Sequence, residues 1–178
     1  LSVYEIPIKK GILFAPHPAF AKNEKGEYVN HALAPEVIDQ LHNPMDLPQK
    51  GTRELTAEDF VYSIKRMANP RIIAPVYGTM VNYLPGLKDF AVQVRAEDKR
   101  LRADLKPSDR DLPFLDLRKF ELKGVSAPDK HTLRLEVKGK YPQFPNWLAM
   151  TFFAPVPWEA EAFYAQKGMA KNNLSLNY

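Results

Sequence analysis

Leu55-Thr56-Ala57-Glu58-Asp59-Phe60-Val61-Tyr62-Ser63-Ile64-Lys65-Arg66 reads as the opening of an amphipathic helix, and the rest of the chain is ordered around it. Thr56 is a capping residue type whose hydroxyl is able to accept from the amide three residues on. Glu58 and Asp59 follow in the first turn, where the partial positive charge of a helix N-terminus favours carboxylates. Phe60, Val61, Ile64 and Met67 recur at helical spacing and Asn69-Pro70 ends the run, so a helix is predicted from Thr56 to Ala68.

Outward from this helix the signals stay local. A second apolar-periodic stretch runs from Pro75 to Leu84 and stops at Pro85-Gly86, and a charged helix is predicted from Leu87 to Leu105. Pro107 to Pro113 reads as a polar linker. Beyond it, Leu133, Leu135 and Val137 alternate with Thr132, Arg134 and Glu136 behind the turn Ala127-Pro128-Asp129-Lys130. Residues 124 to 137 are therefore predicted to pair as an antiparallel hairpin with Leu133 and Leu135 inward. That face needs a cover, for which Trp147, Leu148, Met150, Phe152 and Phe153 are the candidates. Pro157 at a first turn and Gly168 past an end place the last helix at Trp158 to Gln166.

Toward the N-terminus, Tyr4, Ile6 and Ile8 alternate with Glu5, Pro7 and Lys9, as in a half-buried strand; Pro7 favours an edge and Gly11 a break. From Ala15 to Gly51 the composition turns to Pro, His, Asn and Lys, with a turn at Asn23-Glu24-Lys25-Gly26 and one short helix at most, between Ala34 and Leu41. A long surface excursion is expected there. Local helices beside an antiparallel hairpin, without alternating strand and helix units, give an α+β class: a small mixed domain with an antiparallel hairpin or sheet and several helices. Residues 1–178 are read as one domain, with 14–53 as a long loop or insertion, 54–105 helical, and 120–168 hairpin plus C-terminal helix.

The bulk numbers remove several function classes. Lys and Arg total 25 against 21 Asp and Glu, so the net charge of +4 is small and spread over both signs. The run Lys99, Arg100, Arg102, Lys106 is diluted by Asp98, Asp104 and Asp109, which fits a solvated helix face better than a phosphate-tracking patch. There is no Cys, hence no disulfide and no thiolate chemistry. No apolar run approaches the roughly 20 residues that span a bilayer. Leu1-Ser2-Val3-Tyr4-Glu5 lacks a charged and then apolar leader pattern, so a start within a longer protein, or after processing, is expected.

Motifs for catalysis are missing as well. His17, His31, His42 and His131 include no i, i+3 or i+4 pair, so neither a metal site nor a cofactor is expected; the first three share the long excursion and read as polar loop residues. No G-x-S-x-G, P-loop or G-x-G-x-x-G occurs, and Glu58-Asp59 is explained by the helix dipole without acid–base work. No catalytic residue is assigned. Among the aromatic residues Tyr77 stands apart, because it follows a Pro-containing break and a phenol on a cleft rim binds through ring face and hydroxyl; it is the one candidate ligand contact.

The segment Leu55 to Arg66 resembles the most recognisable part of the family 5 extracellular solute-binding proteins, which include dipeptide- and oligopeptide-binding proteins. Asn69-Pro70 with Ala74-Pro75, Gly124 to Leu135, Tyr141-Pro142-Gln143-Phe144 and Ala154-Pro155-Val156-Pro157 follow in the family's order, covering most of residues 51 to 168. Ile8 to Ile12 resembles the strand before the signature helix; Phe14 to Arg53 departs from the pattern, in which a short turn suffices. The resemblance implies the smaller extra domain, with the adjoining part of the first lobe, of a type II-like periplasmic binding protein. It further implies a fragment of a non-enzymatic, monomeric receptor, periplasmic or extracellular at the membrane, that captures a peptide or similar solute and delivers it to an ABC permease. The charged anchors for peptide termini would belong mostly to the lobes, beyond this stretch. The rival readings are a hydrolase of peptides or sugars, which needs a nucleophile or activated carboxylates, and a basic module for nucleic acid or anionic surfaces.

Overall fold

The computed structural model describes every residue except Ser175, Asn177 and Tyr178. Its elements are β1 (Ser2–Pro7), α1 (Pro35–Asp39), α2 (Ala57–Arg66), α3 (Tyr77–Tyr83), α4 (Leu87–Leu101), β2 (Val125–Asp129), β3 (Thr132–Val137), α5 (Phe144–Leu148) and α6 (Trp158–Tyr164), with short 3-10 turns between some of them. The strands form one antiparallel sheet in the order β1-β3-β2, and the class is α+β as the sequence predicts. Contacts gather the chain into two compact units. The first comprises Leu1–Gly11, Leu55–Asp98 and Leu117–Val156; the second comprises Ile12–Glu54, Lys99–Asp116 and Pro157–Tyr178.

In the first unit β3 is central, and its pairing with β1 sets Tyr4 opposite Leu135 and Ile6 opposite Leu133. Period-two alternation then sends Leu133, Leu135 and Val137 to one buried face, as the hairpin reading requires. Val125 of β2 sits opposite Leu135, and an irregularity between Ser126 and Asp129 lets the turn close. Asp129 accepts the His131 N–H at 2.7 Å within that turn. The neighbouring Lys130 carbonyl accepts the Ala57 N–H at 2.8 Å, so the hairpin turn satisfies one of the free amides at the start of α2.

At the start of α2, Thr56 and Asp59 form a capping box, in which the Thr56 N–H donates to the Asp59 carboxylate at 2.8 Å. Past Arg66 the helix tightens, because Met67, Ala68 and Asn69 each donate to a carbonyl three residues back. Val61, Tyr62, Ile64 and Met67 are buried. Helix α2 lies against β2 and β3, and the turn carrying Phe153 packs on it. The cover of the sheet therefore differs from the predicted one: α2 and Phe144, whose ring lies 5.5 Å from Tyr4, supply it, while Met150 and Phe152 stay 48% and 44% exposed. Helix α4 buries Leu87, Phe90, Ala91, Val94 and Asp98, a clean helical stripe, and Arg71 reaches Asp98 at 2.6 Å. It ends at Leu101 rather than Leu105, with turn hydrogen bonds after it. Gly86 and Gly124 both have positive φ; a side chain on Gly86 would meet Lys123 Cβ at 2.8 Å, and one on Gly124 the Pro85 ring at 3.0 Å, so both positions need glycine.

In the second unit the stretch expected as a surface excursion is packed. Ala19, Ile38, Leu41 and Leu47 form a core with Phe163, Met169 and Leu174. Its ends are held together by isolated bridges, Leu13 with Glu54 and His17 with Gly51. The irregular backbone is satisfied by polar side chains: Asn30 donates to the carbonyls of Pro18 and Gln49, and Gln166 accepts from Leu33 N–H while donating to the Asn30 and Phe163 carbonyls. A composition of Pro, His, Asn and Lys reads as loop in sequence, yet here Asn30, together with Gln166 from beyond the stretch, does the hydrogen bonding that a ladder does elsewhere.

Candidate functional site

Tyr77 opens α3, with Val76 and Met80 buried beneath that helix. Its half-buried ring lines a depression of about 150 Å3 in the first unit, shared with Asn69, Pro70, Ile72 and Arg95. Asn69 is committed, since its side-chain oxygen accepts the Arg71 N–H at 2.9 Å. The Tyr77 hydroxyl and the Arg95 guanidinium have no hydrogen-bond or ion-pair partner among the described residues. The depression thus offers an aromatic face, a hydroxyl and a cation to an incoming group. Its position comes from Pro70 and Pro75, which break the chain between α2 and α3.

A second short ion pair, in the second unit, left little mark in the sequence. Arg53 pairs with Glu159 through two short bonds, Nε to Oε1 at 2.6 Å and an Nη to Oε2 at 2.7 Å. Tyr28 adds its hydroxyl to Oε1 at 2.9 Å. The Glu159 side chain is 2% exposed and that of Arg53 26%. Burial pushes the Glu159 carboxyl upward, but the Arg53 and Tyr28 hydrogen bonds, a backbone bond and the Arg53 charge outweigh it and hold the carboxyl below its ordinary value. Phe14 and Phe20 lie under the guanidinium, with ring centroids at 5.1 and 5.6 Å. The partners stand 106 residues apart, and only the placing of Glu159 in the first turn of α6 hints at a role.

The histidines do separate work. His17 accepts the Ala19 N–H on Nδ1 at 3.0 Å, so its neutral ring carries the proton on Nε2 and donates toward the Tyr164 hydroxyl at 3.2 Å. Burial lowers the His17 pKa and raises that of Tyr164. His31 bonds the Ala19 carbonyl and stacks on Tyr28 at 4.4 Å, while His42 is exposed and His131 sits in the hairpin turn. Among the described residues no three His, Cys, Asp or Glu side chains gather in a way that holds a metal ion. Glu58 is exposed and Asp59 is turned into the cap, so the two carboxylates do not face a common point.

The small α+β architecture with its three-stranded antiparallel sheet is that of a periplasmic binding protein module. Residues 50–175 match the family model described as bacterial extracellular solute-binding proteins, family 5 Middle. The chain belongs to this family. No curated protein matches it, and no solved structure does. The family consists of extracellular solute-binding proteins, generally non-enzymatic, which deliver solutes to ABC permeases.

Proposed function

We propose that this chain is part of the periplasmic receptor of an ABC importer, that its solutes are peptides or short oligopeptides, and that it captures them as a monomer without chemistry before handing them to the permease. The family match over residues 50–175 carries this reading. The order of Leu55 to Arg66, Gly124 to Leu135, Tyr141 to Phe144 and Ala154 to Pro157 supports it, since dipeptide and oligopeptide receptors share that order.

Tyr77 is the ligand contact in this reading. A depression of about 150 Å3 is smaller than the roughly 300–1,000 Å3 of a typical small-molecule site. It has room for one side chain or terminus and is the edge of a larger pocket completed by the receptor's lobes. The hydrolase alternative gains nothing from Glu159, because both carboxylate oxygens are engaged by Arg53 and Tyr28.

Calorimetry with a mixed tripeptide pool tests the assignment. Residues 1–178 alone are expected to bind weakly or not at all, whereas a longer polypeptide carrying the lobes binds. Tyr77→Ala in the longer polypeptide reduces affinity and leaves the thermal midpoint unchanged. Tight binding by 1–178 alone, or an unaffected Tyr77→Ala variant, contradicts the placement.

A further inference from the structure

The segment 105–113 and the turn after α6 border a groove of about 600 Å3, wholly inside the second unit. That volume falls within the roughly 300–1,000 Å3 range of small-molecule sites, unlike the Tyr77 depression. Leu105, Leu112, Pro113 and Ala165 give it apolar walls. The segment is fastened to the turn by the Ala170 N–H, which donates to the Asp111 carboxylate at 3.1 Å.

The charges around the groove are not equivalent. Asp109 accepts the Lys106 N–H at 2.8 Å, and Asp111 is bound to Ala170, so both acids are directed at backbone amides. Arg110, Lys167 and Lys171 are exposed and have no ion pair or hydrogen bond among the described residues. Three uncommitted cations beside apolar walls make a lip for an anion and a seat for its hydrocarbon body. With Asp109 and Asp111 in the same lining the lip keeps only a small positive excess, so an anion held there needs an apolar body to add to the binding.

We propose that this groove binds an apolar organic acid, a carboxylate carried on a hydrocarbon body, with Lys167, Lys171 and Arg110 facing the carboxylate and Leu105 and Leu112 the hydrocarbon. Two sources share that chemistry: a free fatty acid, and the C-terminus of a peptide ending in apolar residues. The site is separate from the Tyr77 depression and does not depend on the importer reading.

The test is titration calorimetry on residues 1–178 at low salt with decanoate, with N-acetyl-leucyl-leucine, and with decyltrimethylammonium as the charge-reversed control. Saturable binding of one of the two acids, at least tenfold tighter than the cation, is expected, and whichever binds identifies the source. Lys167→Ala/Lys171→Ala should weaken the acid about tenfold, the scale of losing a charge-assisted bond. Added salt should weaken it further because the cations are exposed. Both lysines lie on the surface, so the double variant keeps its thermal midpoint, and that midpoint is measured alongside. Failure of both acids to saturate, equal binding of the cation, or unchanged affinity in the double variant overturns the proposal. None of these outcomes bears on whether tripeptides bind the longer polypeptide.

Discussion

Glu159 and Arg53 show what a single buried ion pair commits a small unit to. Removing Arg53 leaves a carboxylate with a 2% exposed side chain facing protein, and breaking a buried pair costs roughly 3 to 5 kcal/mol. The 26% exposure of Arg53 places Arg53→Ala near the lower end, about 3 kcal/mol at pH 7 by chemical denaturation. The pH dependence has a definite sign. In the parent chain the Glu159 carboxyl lies below its ordinary 4.5, so its contribution is complete above that pH and is lost as the pH falls through the folded value. Without Arg53 burial dominates, the carboxyl rises, and the deficit of the variant grows with pH; a deficit as large at pH 3 as at pH 7 would contradict the pair. His17 adds an earlier acid phase. Its folded pKa lies below 6.5, so the unfolded chain binds the proton more readily and stability is lost as the pH falls below that value. His17→Gln should flatten the phase just below pH 6.5 and leave the Glu159 phase in place.

At the scale of elements, α2 and the hairpin lock together, and each yields a measurable loss. Thr56→Ala should lower stability by about 1 kcal/mol, as for other caps. Asp59→Ala should cost more, about 2 kcal/mol, because a buried carboxylate that accepts the Thr56 N–H is removed and that amide is left unpaired. If the two substitutions rank the other way in urea denaturation, the cap is carried by the hydroxyl instead. Leu135 is 0% exposed and central in the sheet, so Leu135→Ala belongs at the upper part of the roughly 2 to 5 kcal/mol range for such truncations. These elements were legible in the sequence because their signals are local: a cap, a period of 3.6, a period of two and a turn. The packing of residues 14–53 was not. Ala19 and Ile38 meet Phe163 and Met169 across more than a hundred residues, and irregular chain stabilised by Asn30 and Gln166 has no periodicity to read. Met150 and Phe152 mislead in the opposite direction, since apolar side chains at a turn read as cover and are in fact exposed. Of the candidate site, Tyr77 was visible from its proline break, whereas Arg95 comes beside it only through the fold of α4.

For the whole molecule, the pieces fit a module of the family whose two units are stabilised by apolar packing and by the Arg53–Glu159 and Arg71–Asp98 pairs. Tyr77 with Arg95 in one unit, and Lys167 with Lys171 and Arg110 in the other, are the groups that the two proposals assign to solutes. The most direct measurement is equilibrium dialysis of a defined peptide mixture against the longer polypeptide, with mass spectrometry of the retained fraction. A peptide receptor retains intact tri- to pentapeptides in stoichiometric amount; cleaved products, or no enrichment of any peptide over the dialysate, would contradict it.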